Sequence, residues 1–248
     1  MDLIAIAGAI IGFAAIIGGN MLEGGQLGAL LNTPAGVIVI GGTLGAVILQ
    51  TPFSRLRRSV RLLKWVLLPP QLELEANIDK ITDWSRTARK EGLLGLENIM
   101  DNERDAFTKK GLALLIDAAE PHSIRRVLES ELEARMNSDL AAAQVFRSMA
   151  GYSPTIGIIG AVLGLIQVMG NLADPNLLGP GIATAFVATI YGVGLANLLF
   201  LPVADRLRGL IVGVSNARAM TVEGLLAIAE GDHPKSIEVR LGGFLEVC

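Results

Sequence analysis

The basic residues of this chain are confined to two segments, and this distribution constrains the fold more than any single motif. All 21 lysine and arginine residues lie either between Arg55 and Arg147 or after Asp205. Residues 1–54 and 148–205 contain none, and they are the most apolar parts of the sequence. A soluble protein has no reason to sort its basic residues in this way, whereas a membrane protein keeps them in cytoplasmic loops. The pattern predicts a polytopic membrane protein.

Four windows are long and apolar enough to be membrane-spanning helices, which need about 20 residues each. The loops at residues 23–33 and 173–181 contain no basic residue, so they are predicted to face outward. Basic residues directly follow the second and fourth windows, where they can meet anionic membrane lipid. Both termini are therefore expected in the cytoplasm. The windows, none of which holds a charged side chain, are residues 3–22, 34–51, 149–172 and 182–204.

The middle of the chain has the character of a soluble helical domain. It contains 16 basic and 15 acidic residues between positions 52 and 147, and this near balance argues against a nucleic-acid surface. Apolar residues such as Ile78, Ile81 and Trp84 recur there at helical spacing. A helix is predicted to begin at Pro121, and the helix of the tail is predicted to break at residues 231–234. The fold class is therefore predicted to be all-α: four transmembrane helices with a helical cytoplasmic domain between spans two and three. The predicted domains are 1–51 (spans one and two), 52–147 (cytoplasmic), 148–205 (spans three and four) and 206–248 (cytoplasmic tail).

Neither an enzyme nor a metal site is expected. The chain has two histidines far apart and a single cysteine, Cys248, so neither a metal-ligand cluster nor an internal disulfide is predicted. It contains no G-x-x-x-x-G-K-[ST], H-E-x-x-H or G-x-S-x-G motif. No cofactor is therefore predicted.

The predicted spans also lack the group that ion transport usually requires, an ionisable side chain within the hydrocarbon. Asp2, Glu23 and Asp174 lie only at the edges or in outward loops. If ions cross, a partner chain must supply the carboxylate that holds them.

Small residues and prolines mark the spans. The G-x-x-x-G pairs Gly8/Gly12, Gly41/Gly45 and Gly160/Gly164 allow close helix packing, either within the chain or between chains. Pro154 and Pro202 are predicted to lie at one level near the cytoplasmic side, where each removes a backbone donor. This pairing suggests a hinge or coupling point. Thr189 on its own would most often be structural, because a threonine hydroxyl can bond its own helix.

Three segments carry a resemblance that covers essentially the whole chain. They are ARKEGLLGLE (88–97), YSPTIGIIGAVLGLIQVMGNL (152–172) and GIATAFVATIYGVGLANLLFLPVADRL (181–207). Together with the tail, they resemble the A-subunit family of the bacterial flagellar stator (MotA/PomA). The resemblance implies an inner-membrane protein that self-associates into a ring, a homopentamer, around single-span MotB/PomB-type subunits whose aspartate binds the ion. It implies a role in converting ion-motive force into rotation.

The resemblance also assigns roles to individual residues. Arg89, Lys90 and Glu97 match charged positions that contact the rotor protein FliG. Pro154 and Pro202 match the two coupling prolines, and Thr189 matches a threonine on the ion path.

Position 161 bears on the transported ion. Sodium-type members of the family look to have a threonine at this position. This chain has Ala161 and is in this respect similar to proton-type members. The predicted ion is therefore H⁺ rather than Na⁺. The segment around Thr189 nevertheless resembles the PomA branch more closely, and a second-set member resembling MotC is the alternative.

Two alternatives remain at this stage. An ExbB/TolQ-like energising subunit would also use a single-span partner, but it would have three spans rather than four. A non-conducting membrane scaffold would carry no ion at all.

Overall fold

The computed structural model describes residues 3–25 and 27–245. Every regular element in these ranges is helical and none is a strand, so the predicted all-α class is confirmed. The chain divides into two compact units. The first contains the residues up to Pro69 together with Asp139–Gly209, and the second contains Pro70–Ser138 together with the chain from Leu210 onward. Asp2 and Cys248 lie outside the described residues.

The helices are numbered here in chain order. Helix α2 (33–50) has a π-helical middle turn, Val37–Gly41, and α8 (175–229) has another, Ala196–Phe200. Short 3-10 turns lie at Leu27–Leu30 and Leu93–Leu96. The helices are α1 (Leu3–Leu22), α2 (33–50), α3 (Phe53–Leu67), α4 (Leu74–Glu91), α5 (Glu97–Asn102), α6 (Ala106–Ile116), α7 (Pro121–Gly170), α8 (175–229) and α9 (Pro234–Gly242).

Several of these helices are suited to crossing a membrane. Within the described residues, three helical stretches are long and apolar enough: Leu27–Gln50, a part of α7, and a part of Leu178–Ala229. Helix α1 coincides with the first predicted span, although the apolar stretch found in it, Ile10–Leu22, is shorter. The polytopic character is confirmed, and the count of four spans stays a prediction.

The surface of the first unit is apolar, as expected for helices surrounded by lipid rather than by water. Large apolar side chains point outward along its helices, including Leu49 (90% exposed) and Phe186 (69% exposed). Its buried positions are mostly small, such as Ala35, Ala188 and Ala196. Because lipid tails are as apolar as leucine, helix association in a bilayer depends on close packing of small residues. Most of the buried positions of the first unit are therefore small, and many of its large apolar side chains are exposed.

The second unit has an ordinary soluble core. The predicted helical series Ile78, Ile81 and Trp84 is buried on one face of α4, as expected. These residues pack in a single apolar cluster with parts of α6, α7, α8 and α9. The largest fully buried members of this cluster are Phe107, Ile81, Leu96, Leu112, Leu115, Ile124, Leu128, Met220, Leu225, Leu226 and Ile237.

Two predicted domain limits fall inside continuous helices. Helix α7 begins at Pro121, as predicted, and continues through positions 147 and 148 to Gly170. Helix α8 likewise passes positions 205 and 206. A helix satisfies its own backbone hydrogen bonds in water and in lipid alike, so a change of solvent does not end it. The predicted domain limits therefore mark a change of charge and solvent, not the end of a helix, and they stay predictions.

The helix break predicted at residues 231–234 is confirmed. Gly231 has a φ of +80°, and α9 begins at Pro234.

Candidate functional site

Helices α7 and α8 approach each other closely along a seam of glycine and alanine residues. At Gly192, a Cβ atom would lie 2.6 Å from the carbonyl oxygen of Ser153 and 3.2 Å from the Cα of Pro154. At Gly157, it would lie 2.8 Å from the carbonyl oxygen of Ala188. Both obstacles are backbone atoms, which cannot move aside as a flexible side chain can. Only glycine fits this part of the seam.

The pair Gly160/Gly164 belongs to the same seam. A Cβ at Gly160 would lie 2.8 Å from the Cβ of Ala188, and one at Gly164 would lie 2.8 Å from the amide nitrogen of Ala185. This G-x-x-x-G pair therefore packs within the chain. Gly41 and Gly45, by contrast, have no described atom within 4 Å of such a Cβ, so their side of α2 is open.

The two residues predicted to line an ion path flank this seam. Thr189 lies next to Ala188 on α8, is half-buried, and donates its hydroxyl to the carbonyl oxygen of Ala185 at 3.2 Å. Ala161 lies next to Gly160 on α7 and is also half-buried. Position 189 thus presents a hydroxyl that is already engaged by its own helix, and position 161 presents a methyl group. Their predicted roles stay predictions.

The two prolines lie at different levels of the seam, so the expectation that they share one level is wrong. Pro154 lies opposite Gly192, which precedes Pro202 by ten residues, or about 15 Å of helix rise. Charge boundaries along the sequence placed both near one membrane surface, but they do not fix the register of two packed helices. The hinge role predicted for each proline is a separate matter and stays a prediction.

Pro202 lies two residues after the last residue of the π turn of α8, Phe200. In this turn the amide of Leu201 donates to the carbonyl oxygen of Ala196, five residues back. A proline has no N–H and its ring collides with the carbonyl four residues earlier, so it disturbs the preceding turn of a helix. Single π turns of this kind occur frequently at functional sites. The local backbone of α8 is thus irregular where a coupling residue was predicted.

A hydrogen-bonded tie between α2 and α8 was not anticipated from the sequence. Asn32 caps α2 by accepting from the amide of Ala35, and its side-chain nitrogen donates to the hydroxyl of Thr184 at 2.9 Å. The hydroxyl of Tyr191 donates to the carbonyl oxygen of Leu30 at 2.5 Å. The order Asn32-Thr33-Pro34 is a helix-start signal that would have located the cap. Nothing in the sequence gives its partners on α8.

Two buried hydroxyl groups in the same unit were also not predicted from the sequence. Ser153 is 0% exposed and Thr43 is 1% exposed, and neither side-chain oxygen has a hydrogen-bond partner among the described residues. A buried polar group without a partner costs about 1–3 kcal/mol. Ser153 adjoins Pro154, so one of these groups lies where the seam is tightest.

The charged side chains of the first unit lie outside the apolar stretches. Arg58 on α3 pairs with Asp139 on α7 at 2.5 Å, and this hydrogen bond raises the pKa of Arg58. Arg147 and Asp205 face each other at 3.4 Å. The described parts of the chain contain no cluster of histidine, cysteine and acidic residues suited to a metal ion. The closely packed part of α7 and α8 therefore carries no acidic or histidine side chain that could hold a proton.

In the second unit, the three predicted rotor-contact residues lie on either side of one turn. Arg89 and Lys90 are in the last turn of α4, and Glu97 begins α5. Gly92 joins these helices with φ +79°, a conformation that glycine adopts without strain. All three charges are exposed, and none forms an ion pair with a described residue. They complement the helix ends, where cations favour the C-terminus and anions the N-terminus. Their charge is free to meet another protein.

Comparison with known proteins gives matches along the whole chain. Residues 6–92 match the family model described as Motility protein A N-terminal, and residues 99–220 match that of the MotA/TolQ/ExbB proton channel family. Motility protein A of Bacillus subtilis (strain 168) is 34% identical over 242 residues, which cover 97% of this chain and 90% of that protein.

Two solved structures share the fold. The C. jejuni MotAB structure has a TM-score of 0.93 and 27% identity, and covers 98% of this chain and 96% of its own. The flagellar MotAB stator complex from Bacillus subtilis has a TM-score of 0.86 and 35% identity, with 95% and 92% covered. Since the likeness in sequence extends over both units and the fold is shared nearly end to end, the chain belongs to the motility protein A family.

Proposed function

We propose that this protein is the A-type stator subunit of a bacterial flagellar motor, and that it couples ion flow across the cytoplasmic membrane to rotation. The similarity to motility protein A and to MotAB stator complexes supports this function. The match of residues 6–92 to the motility protein A N-terminal family favours a stator over an ExbB/TolQ-like subunit. The chain spans the inner membrane four times, with both termini in the cytoplasm, as its basic residues indicate.

The observation that carries the proposal is the α7–α8 seam, a close-packed wall without an acid. The apolar stretches of α2, α7 and α8 contain no Asp, Glu, Lys, Arg or His. A single-span B subunit of MotB/PomB type supplies the carboxylate that binds the ion. Copies of the A chain, in a homopentamer, surround the B subunits, and the outward apolar side chains of α7 and α8 face neighbouring chains or lipid.

The transported ion in this proposal is the proton. A sodium ion needs several oxygen ligands in place of its water, whereas a proton needs only a carboxylate and a hydrogen-bonded path. Ala161 offers no oxygen, and the hydroxyl of Thr189 is engaged by Ala185. Neither of these two ion-path residues therefore offers a free oxygen to a sodium ion.

Torque is transmitted through Arg89, Lys90 and Glu97. These unpaired charges lie at the end of α4 and the start of α5 in the second unit. In the proposed motor they face the rotor protein FliG. Complementary charges at a transient interface set orientation and speed of encounter.

Proton uptake by vesicles provides the direct test. The chain is reconstituted alone, or with a B subunit lacking its plug segment, in sodium-free buffer with a potassium diffusion potential. We expect the chain alone to hold the pH gradient and the pair to dissipate it, because only the pair contains the membrane carboxylate. Replacement of that aspartate by asparagine is the matched control. Flux from the chain alone, or flux that requires added sodium, would contradict the proposal.

Pro202→Ala is expected to reduce swimming by at least half while leaving the ring assembled. Alanine restores the missing N–H and removes the ring clash, so the irregular turn before position 202 can return to an ordinary helix. Pro180→Ala, in the same helix but far from the π turn, is the control and should swim nearly normally. Swimming diameter and the size of the purified complex measure the two effects. Equal swimming of Pro202→Ala and wild type would show that Pro202 bends the helix but has no role in coupling.

A further inference from the structure

A small cavity with both charged and aliphatic lining residues lies in the first unit between α7 and α8, apart from the glycine seam. Its volume is about 170 Å³. One wall comes from successive turns of α7 and the other from α8, immediately beyond Pro202. Its lining residues are Leu140, Ala143, Gln144, Arg147, Ala204, Asp205 and Arg208.

The cavity carries one more positive charge than negative. Arg147 and Asp205 approach to 3.4 Å, a long contact between side chains that are 47% and 55% exposed, so their mutual attraction is weak. Arg208 is exposed and has no ion pair with any described residue. Two guanidinium groups and one carboxylate therefore leave a net charge suited to a monoanion. The amide of Gln144 adds a neutral hydrogen-bond donor.

The position of the cavity along the helices coincides with the boundary of the apolar stretches. Arg147 is the last charged residue before the apolar part of α7, and Asp205 is the first after that of α8. In a spanning helix, this boundary lies where lipid headgroups begin. The aliphatic side of the cavity, at Leu140, Ala143 and Ala204, complements the glycerol end of a lipid.

We propose that this cavity binds the phosphodiester of an anionic lipid headgroup. Planar guanidinium groups bind phosphate oxygens in pairs of hydrogen bonds, and basic pockets between spanning helices are suited to lipid headgroups. Asp205 lowers the net positive charge of the cavity, which favours a singly charged phosphodiester over a doubly charged free phosphate. The assignment of the cavity to the cytoplasmic leaflet rests on the orientation in the proposed function, whereas the binding site itself does not.

Native mass spectrometry of the purified full-length chain in neutral detergent tests the site. The probes are phosphatidylglycerol, phosphatidylcholine and sodium phosphate. We expect saturable retention of phosphatidylglycerol and weaker retention of phosphatidylcholine, whose headgroup is neutral overall. Arg147→Gln with Arg208→Gln should weaken phosphatidylglycerol binding about 25-fold, or about fivefold for each arginine. Arg147→Lys with Arg208→Lys should recover part of this loss, because charge remains while the paired donors are lost.

The matched control is Arg55→Gln with Arg57→Gln, which removes the same charge from exposed positions on α3. This control should bind nearly as well as wild type. Equal losses in the two glutamine variants would mean diffuse surface attraction and would overturn the site. Displacement of the lipid by millimolar phosphate would also overturn it, in favour of free phosphate. Because the assay contains neither a B subunit nor a rotor, its failure would leave the proposed function untouched.

Discussion

Gly192→Ala is expected to abolish swimming, whereas Gly194→Ala should leave it unchanged. The new Cβ at position 192 would lie 2.6 Å from the carbonyl oxygen of Ser153, so α7 and α8 would have to separate. Overpacking of this kind costs about 1–3 kcal/mol. At position 194 no described atom lies within 4 Å of the added Cβ, and alanine is the better helix former.

Three measurements separate the possible causes of a swimming defect: soft-agar swimming, the level of the protein in membranes, and thermal unfolding in detergent. We expect Gly192→Ala to lower the unfolding temperature and Gly194→Ala to hold or raise it. Gly157→Ala, on the facing helix, should reproduce the Gly192→Ala defect, since its Cβ would meet the carbonyl oxygen of Ala188 at 2.8 Å. Normal swimming and stability in both seam variants would show that the helices are not held at this separation.

Arg89→Glu combined with Lys90→Glu is expected to reduce swimming to the level of a non-motile strain without affecting insertion or assembly. Both residues are exposed at the end of α4 and neither supports the fold through an ion pair with a described residue. Placing like charges against a partner costs several kcal/mol and suppresses the contact. The reversal should therefore remove torque and leave the protein intact.

The control is Arg86→Glu combined with Arg126→Glu, which changes the charge of the same unit equally at other exposed positions. Rotation of tethered cells measures torque, and ion uptake by vesicles measures conduction. We expect the test variant to conduct like wild type in vesicles but to rotate no cell. Normal rotation by the test variant, or equal defects in the two variants, would remove Arg89 and Lys90 from the rotor interface.

Most of the fold could be predicted from the sequence because the membrane imposes simple rules on the composition of spanning segments. The absence of charge from residues 149–172 and 182–204 located long helices, and proline and glycine located the start of α7 and the end of α8. The buried face of α4 followed from the spacing of Ile78, Ile81 and Trp84. These features are local, so a pattern along the chain is sufficient to find them.

The register of α7 against α8 could not be obtained in the same way. Contacts such as Gly192 with Ser153 join residues far apart in the chain, and 29 glycines offer many possible pairings. The same limit explains the misplaced level of the two prolines. It also explains why Asn32 could be recognised as a cap in principle, while its bond to Thr184 could not.

The tie from Asn32 and Leu30 to Thr184 and Tyr191 has a mechanical consequence for α8. It fastens the helix to the start of α2 in its first half, whereas the π turn and Pro202 lie further along, where the backbone is more easily bent. A helix that is held at one place and weakened further along bends at the weakened turn. Displacement of α8 should therefore be small near Tyr191 and should grow beyond Pro202, with the π turn as the pivot.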